Sequence, residues 1–235
     1  MAITLYDLAG ADPDLRFSPY CWRTRMALAH KDLPVKRLPW RFTDKTKIKF
    51  SGQEKVPVIK DGTTTVADSW TIAEYLEETY SERPSLFGGS GGVAHAFFIN
   101  AWADTIMLPG IGRLIVRDIW ALLDPKDQDY FRTTREKQFG ATLESITADR
   151  DKRVADFRHS LFPIRRVLKT RDWLGGDEPS YADYIVFGQF QWARCTSTFE
   201  LLTPDDPVTA WRTRMLDLFG NLAGSAKTAA DLQAA

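Results

Sequence analysis

Apolar and polar positions alternate or recur at helical spacing in short blocks over the first eighty residues. Ile3–Asp7 reads as a strand, and Ser18–His30 as a helix carrying Cys21, Arg25, Leu28 and Ala29 along one side. Val35–Leu38 reads as a second strand ahead of Pro39. Val56–Lys60 and Thr63–Ala67 flank Asp61-Gly62, a dipeptide that tolerates the positive φ angles of a tight turn, so the pair predicts a hairpin. A helix follows from about Ser69 to Tyr80, with Ile72, Tyr75, Leu76 and Thr79 on one face. The order is β-α-β, then β-β-α.

Between Ser81 and Gly92 the pattern stops at Pro84 and a Gly88-Gly89-Ser90-Gly91-Gly92 run, which cannot sustain regular structure. Beyond it only helical periodicity remains, over about 93–122, 125–147, 150–171, 180–199 and 207–220, with a break expected at Pro163. These readings divide the chain into an α/β domain at 1–80, a linker at 81–92, an all-helical domain at 93–220 and an alanine-rich tail at 221–235 that is expected to fray.

The 235 residues suffice for one large or two modest cores. Thirty-one basic residues against 31 acidic ones leave no bulk field to draw the molecule to nucleic acid or anionic lipid. No apolar run is long enough to cross a bilayer, and the opening residues lack the pattern of a secretory signal, so a cytoplasmic location is expected. Cys21, Cys195, His30, His95 and His159 are too scattered for a metal site or a disulfide framework.

Three sites carry candidate chemistry. Ser18-Pro19-Tyr20-Cys21 pairs a preferred N-cap with a proline suited to the first turn, placing a hydroxyl beside unpaired backbone N–H groups, where an anion is favoured. Serine stands where a Cys-Pro-Tyr-Cys redox motif would carry its leading thiol, so dithiol exchange is lost, yet the hydroxyl can stabilise a thiolate brought by a ligand. A plain helix cap accounts for the same residues. At Lys55-Val56-Pro57-Val58 the proline cannot donate to a ladder, and a cis Val56-Pro57 bond leaves the Val56 backbone to pair with an extended peptide; a protective edge proline is the alternative. Asp68-Ser69 starts a helix, and its carboxylate and hydroxyl can divide a zwitterion between them or simply cap. From Arg41 to Lys60 six basic residues face two acidic ones, which suits a small anionic ligand.

Together these stretches resemble the glutathione transferase superfamily, over about residues 3–220. Ile3-Thr4-Leu5-Tyr6-Asp7-Leu8, Ser18-Pro19-Tyr20-Cys21-Trp22-Arg23 and Asp68-Ser69-Trp70-Thr71-Ile72-Ala73-Glu74-Tyr75-Leu76 look like its bacterial branch that includes β-aryl etherases. The resemblance implies a thioredoxin-like N-terminal domain and an all-helical C-terminal one, glutathione as co-substrate, no metal, and a homodimer acting in detoxification. It carries Ser18 onto the catalytic serine, Val56 and Pro57 onto the element that binds the cysteinyl backbone, Asp68 and Ser69 onto the γ-glutamyl site, and Lys55 onto a carboxylate partner. Leu174-Gly175-Gly176-Asp177-Glu178-Pro179-Ser180-Tyr181-Ala182-Asp183 resembles the family's loop and capped core helix, and Ser180 with Asp183 forms a capping box on physical grounds alone.

The function this implies is attack of the glutathione thiol on a small apolar or aromatic electrophile. Aryl ether cleavage and peroxide reduction are alternative reactions. A non-catalytic glutathione-binding or interaction module and a redox enzyme working through Cys21 are the rivals of other classes. Trp102, Met107, Leu108 and Ile111 form a candidate wall for the acceptor or else a core or dimer face, Arg194 could support an anionic group, and Tyr6 lies near enough to Ser18 to be confused with it.

Overall fold

The computed structural model describes residues 2–234. Four strands, β1 (Ile3–Leu8), β2 (Val35–Trp40), β3 (Val58–Asp61) and β4 (Thr64–Ala67), form one sheet in the order β2-β1-β3-β4. β1 and β2 are parallel, with Ile3 opposite Val35 and Leu8 opposite Trp40. A parallel pair needs a crossover, which α1 (Pro19–His30) supplies. β3 runs antiparallel to both β1 and β4, and its hairpin turns at Gly62, whose φ of 57° is the left-handed conformation that glycine adopts freely. β3 starts two residues later than the apolar run because Val56-Pro57 stands outside the ladder. With α2 (Ser69–Thr79), this is a thioredoxin-like unit.

The rest is helical: α3 (Ser90–Trp102), α4 (Leu108–Ala121), α5 (Pro125–Phe139), α6 (Leu143–Thr147), α7 (Arg150–Ser160), α8 (Phe162–Leu168), α9 (Tyr181–Thr196), α10 (Pro207–Asn221) and α11 (Ala229–Gln233). Three of the long predicted helices are divided, each for a local reason. The 93–122 stretch passes through a π-helical turn at Ala103–Met107 immediately before Pro109, which cannot donate an in-helix hydrogen bond. The 125–147 stretch ends at Gly140, whose φ of 72° lets its N–H close on the Glu136 carbonyl at 2.8 Å. The 150–171 stretch breaks at Leu161, just ahead of Pro163, as expected.

The tail differs from its expectation. Ala223 and Ala229 are buried, and Thr228 with Asp231 forms a capping box that starts α11. The tail is held through its backbone: the Ala223 carbonyl accepts from Gln191 and Arg194 at 3.0 and 3.2 Å, and the Gly224 carbonyl accepts from Arg194 at 3.0 Å. Small residues suit this docking, because their lack of bulk brings the backbone within reach of α9.

α1 lies along α9, so even its polar residues are buried. Arg23 is fully enclosed and donates to Asn100 at 2.8 Å and to Asp104 at 2.6 Å, tying α1 to α3 and the π-helical turn. The Tyr181 hydroxyl at the start of α9 donates to the Ser69 carbonyl at 2.6 Å, and buried Asp127 on α5 accepts from the Thr43 amide and hydroxyl at 2.9 and 2.6 Å. These polar ties hold the helices against the elements that carry the candidate site.

Candidate active site

Ser18 is the N-cap of α1, and its Oγ accepts the Cys21 amide at 3.2 Å, which leaves the O–H free to donate. Pro19 has no N–H, the Trp22 amide is taken by the Ser18 carbonyl at 3.0 Å, and the Tyr20 N–H is left without a partner among the described residues. One backbone donor and one hydroxyl donor are thus available at the positive end of the helix. Cys21, one turn on, is fully buried; burial and then the nearby Asp7 carboxylate push its thiol well above the ordinary value. A thiol held protonated inside the core is inert, which disfavours redox chemistry through Cys21.

The Val56-Pro57 bond is cis, and neither the N–H nor the C=O of Val56 has a hydrogen-bond partner among the described residues. The Pro57 carbonyl accepts the Asp68 amide at 3.2 Å, so this segment and the start of α2 are joined. Asp68 has a φ of 76°, and its Oδ1 accepts the Trp70 and Thr71 amides at 3.0 and 3.1 Å. Capping is therefore one role that Asp68 fills, with Oδ2 left over. Ser69 is buried, and Lys55 is exposed.

Ser18, Lys55 and Val56 line a single cleft of about 400 Å³ between the sheet domain and the helices. Asp68, Ser69 and Pro57 are outside that lining, joined to it through the Asp68–Pro57 bond. The surplus of basic residues is partly spent, since Lys45 donates to the Glu54 carbonyl at 2.6 Å and Lys47 pairs with Asp44 at 2.8 Å.

Aromatic and aliphatic side chains make up most of the remaining lining. Phe42 stacks at 5.5 Å on Phe131 and 6.2 Å from Tyr130, and Phe17, Trp40, Phe139 and Trp192 complete this wall. Arg135 lies over Phe131 at 4.8 Å, with its guanidinium pushed down by burial, and Lys45 sits 5.3 Å from the Trp40 ring. Burial, and after it the Asp104 carboxylate, push the Tyr20 phenol up to about 12.

Of the apolar wall expected on the helix after the linker, Leu108 lines the cleft, while Met107 and Ile111 are core and Trp102 stands elsewhere. Tyr6 packs on Phe50 at 5.4 Å and stays out of the lining, and Arg194 holds the tail. The sequence reading missed the α5 residues Tyr130, Phe131, Arg135 and Phe139. Phe131, Arg135 and Phe139 recur at four-residue steps, which marks one helical face and was the available signal.

A sheet domain of this topology carrying a cleft against a helical domain defines the class of protein, and comparison with known proteins defines the family. Two family models match, the glutathione S-transferase N-terminal domain at residues 17–79 and the C-terminal domain at residues 94–203, together well over half of the chain. The chain belongs to the glutathione S-transferase superfamily. The crystal structure of glutathione transferase GSTFuA3 from Phanerochaete chrysosporium is similar with a TM-score of 0.83 and 27% identity, over 94% of this chain and 97% of that one. The glutathione S-transferase CsGST63524 of Ceriporiopsis subvermispora, solved in complex with glutathione, is similar with a TM-score of 0.77 and 27% identity, over 93% and 96% of the two chains. A curated relative, the glutathione S-transferase-like protein ustS of Aspergillus flavus, is 29% identical over 140 residues, 54% of this chain and 49% of the relative, so the match spans about half of that protein. Among the described residues, no helix is long and apolar enough to cross a membrane.

Proposed function

We propose that this protein is a glutathione transferase of the serine type, which holds the glutathione thiolate at Ser18 and directs it onto a small aromatic electrophile. The observation that carries the reading is the convergence of Ser18 and the Lys55-Val56 pair, from two separate segments, on one cleft whose far wall is aromatic. In this reading the cysteinyl backbone of glutathione pairs with the free N–H and C=O of Val56 beside Pro57, as an added strand. Asp68 and Ser69 take the γ-glutamyl group, and Lys55 pairs with a carboxylate. The Ceriporiopsis relative crystallised with glutathione supports the choice of ligand.

In the proposed reaction the thiol loses its proton to solvent, and the Ser18 O–H and Tyr20 N–H donate to the sulfur that remains. A hydrogen bond to a charged group contributes about 1.5–3 kcal/mol, so one such bond lowers the thiol pKa by roughly one to two units. The thiolate forms a new S–C bond with the electrophile, and the leaving group departs with the electron pair of the bond that breaks. Phe42, Phe131 and Tyr130 hold the ring of the electrophile, and the rest of the acceleration is orientation. Aryl ether cleavage uses the same thiolate on a different acceptor, and the aromatic wall favours acceptors with a ring over simple peroxides. The exposed Phe97 and Phe98 on α3 offer an apolar face to the second copy of a homodimer.

The test is titration of bound glutathione by its thiolate ultraviolet absorbance, together with kcat/KM toward an activated aryl halide. Ser18→Ala is expected to raise the thiol pKa by roughly one to two units and to lower kcat/KM by about tenfold or more. Unchanged pKa and rate in that variant would refute the role of Ser18. Glutathione bound only as the neutral thiol by the native chain would favour the non-catalytic module.

A further inference from the structure

The polar residues of α1 are not all satisfied. Arg23 has carboxylate and amide partners, and Thr24 donates to the Tyr20 carbonyl at 3.3 Å. Arg25 is 6% exposed, and among the described residues its guanidinium makes no hydrogen bond and no ion pair. It lies over the face of Trp22, 3.6 Å from the ring centroid. Burial pushes it down to about 10, which still leaves it charged at neutral pH. A buried cation with five unused donors costs stability unless an anion completes it.

Arg25 is not sealed in. It lines a cavity of about 520 Å³ together with Arg16, Arg37 and Lys227. None of the residues of this cavity lines the glutathione cleft. Arg16 is 8% exposed, its Nη1 has no hydrogen-bond partner, and that atom stands 3.8 Å from buried Asp7. Arg37, exposed on β2, has no ion-pair or hydrogen-bond partner among the described residues, whereas Lys227 is bound to Asp12. Asp14 is the single carboxylate of the lining. Asp7 favours the charged form of Arg25 from within the core but already faces Arg16, so the two arginines share one acid. The docked tail forms the opposite wall through Leu222, Ser225 and Ala226.

We infer that this cavity is a second binding site, which takes the oxyanion of a small phosphate or sulfate ester on Arg25 and Arg37. A guanidinium fork suits such oxygens because two parallel N–H groups meet two oxygens at once. The volume exceeds what a bare ion needs and falls in the range of sites for small organic ligands. Leu222, Ala226 and Val35 provide the apolar surface for the organic part.

The experiment is calorimetric titration of phenyl phosphate, phenyl sulfate and neutral phenol into the full chain. S-benzylglutathione is present throughout to fill the glutathione site and the aromatic cleft, and its own titration tests the proposed function separately. Both esters are expected to bind, phenol not, with affinity falling as salt rises. Arg25→Met should weaken binding by about tenfold or more, Arg37→Gln a few-fold, and Arg135→Met not at all. Arg37 is exposed, so its variant tests the site even if Arg25→Met fails to fold. Absence of ester binding at millimolar concentration, affinity indifferent to Arg37→Gln, or loss of binding in Arg135→Met would overturn the inference.

Discussion

Asp183→Asn removes one oxygen acceptor at the start of α9 with almost no change of volume. Asp183 is fully buried, and each of its oxygens accepts two hydrogen bonds from N–H donors. Oδ1 takes the Leu174 amide at 2.8 Å and the Trp211 indole at 2.9 Å, while Oδ2 takes the Gly175 amide at 2.9 Å and the Ser180 amide at 3.0 Å. Whichever way the new amide turns, its NH2 faces two of these donors and leaves both unpaired. An unsatisfied buried donor costs about 1–3 kcal/mol, so two cost roughly 2–6 kcal/mol. Burial pushes the Asp183 carboxyl up while the four bonds pull it down. A neutral side chain escapes that desolvation cost, which brings the expected loss to about 2–4 kcal/mol. Set against a typical stability of about 5–15 kcal/mol, this is a large fraction. The measurement is urea unfolding followed by tryptophan fluorescence, with the midpoint falling at constant slope. A loss under about 0.5 kcal/mol would refute the claim that this carboxylate organises the 174–183 loop, since surface substitutions commonly cost no more.

Three further outcomes are expected. At Gly188 an added Cβ would stand 2.5 Å from the Pro19 carbonyl, backbone that cannot rotate away, so Gly188→Ala should cost about 1–3 kcal/mol and lower kcat/KM by displacing the start of α1; unchanged thermal unfolding and kinetics would contradict this. Arg135→Met should raise KM several-fold for aromatic electrophiles carrying a carboxylate, while KM for glutathione stays constant, as measured by steady-state kinetics with charged and neutral acceptor pairs. Burial alone would raise the Asp206 carboxyl, but hydrogen bonds from Arg165 at 2.7 Å and from the Val208 amide at 3.0 Å outweigh it and hold it below the ordinary carboxylate value. The unfolded chain then binds that proton more readily, so the stabilisation is complete above the ordinary value and is lost as pH falls below it. Acid unfolding of Asp206→Asn should accordingly show a shallower loss of stability in that window than the native chain.

Much of what the chain does was written in short-range signals. A serine before a proline starts α1, Asp61-Gly62 marks the hairpin, and Ser180 with Asp183 caps α9, because caps and turns depend on residues a few positions apart. The same locality made Ser18, Val56-Pro57 and Asp68-Ser69 legible as candidate sites. It also announced the break near Pro163, though Gly140 and Pro109 carried equally local signals for breaks that periodicity alone passed over.

Long-range packing decided the rest. The aromatic residues of α5 face the cleft through tertiary packing that includes the bond from Thr43 to Asp127, a pairing between residues more than eighty positions apart. Apolar side chains serve a core or a ligand wall equally well, so their spacing along a helix could not say which. The tail docks through backbone carbonyls, which every residue possesses, and it forms one wall of the cavity that Arg25 enters. Local chemistry specifies where a helix begins and what its first residues can bind. Which faces meet across the molecule, and which charges are left uncompensated between them, is settled by the packing of distant segments.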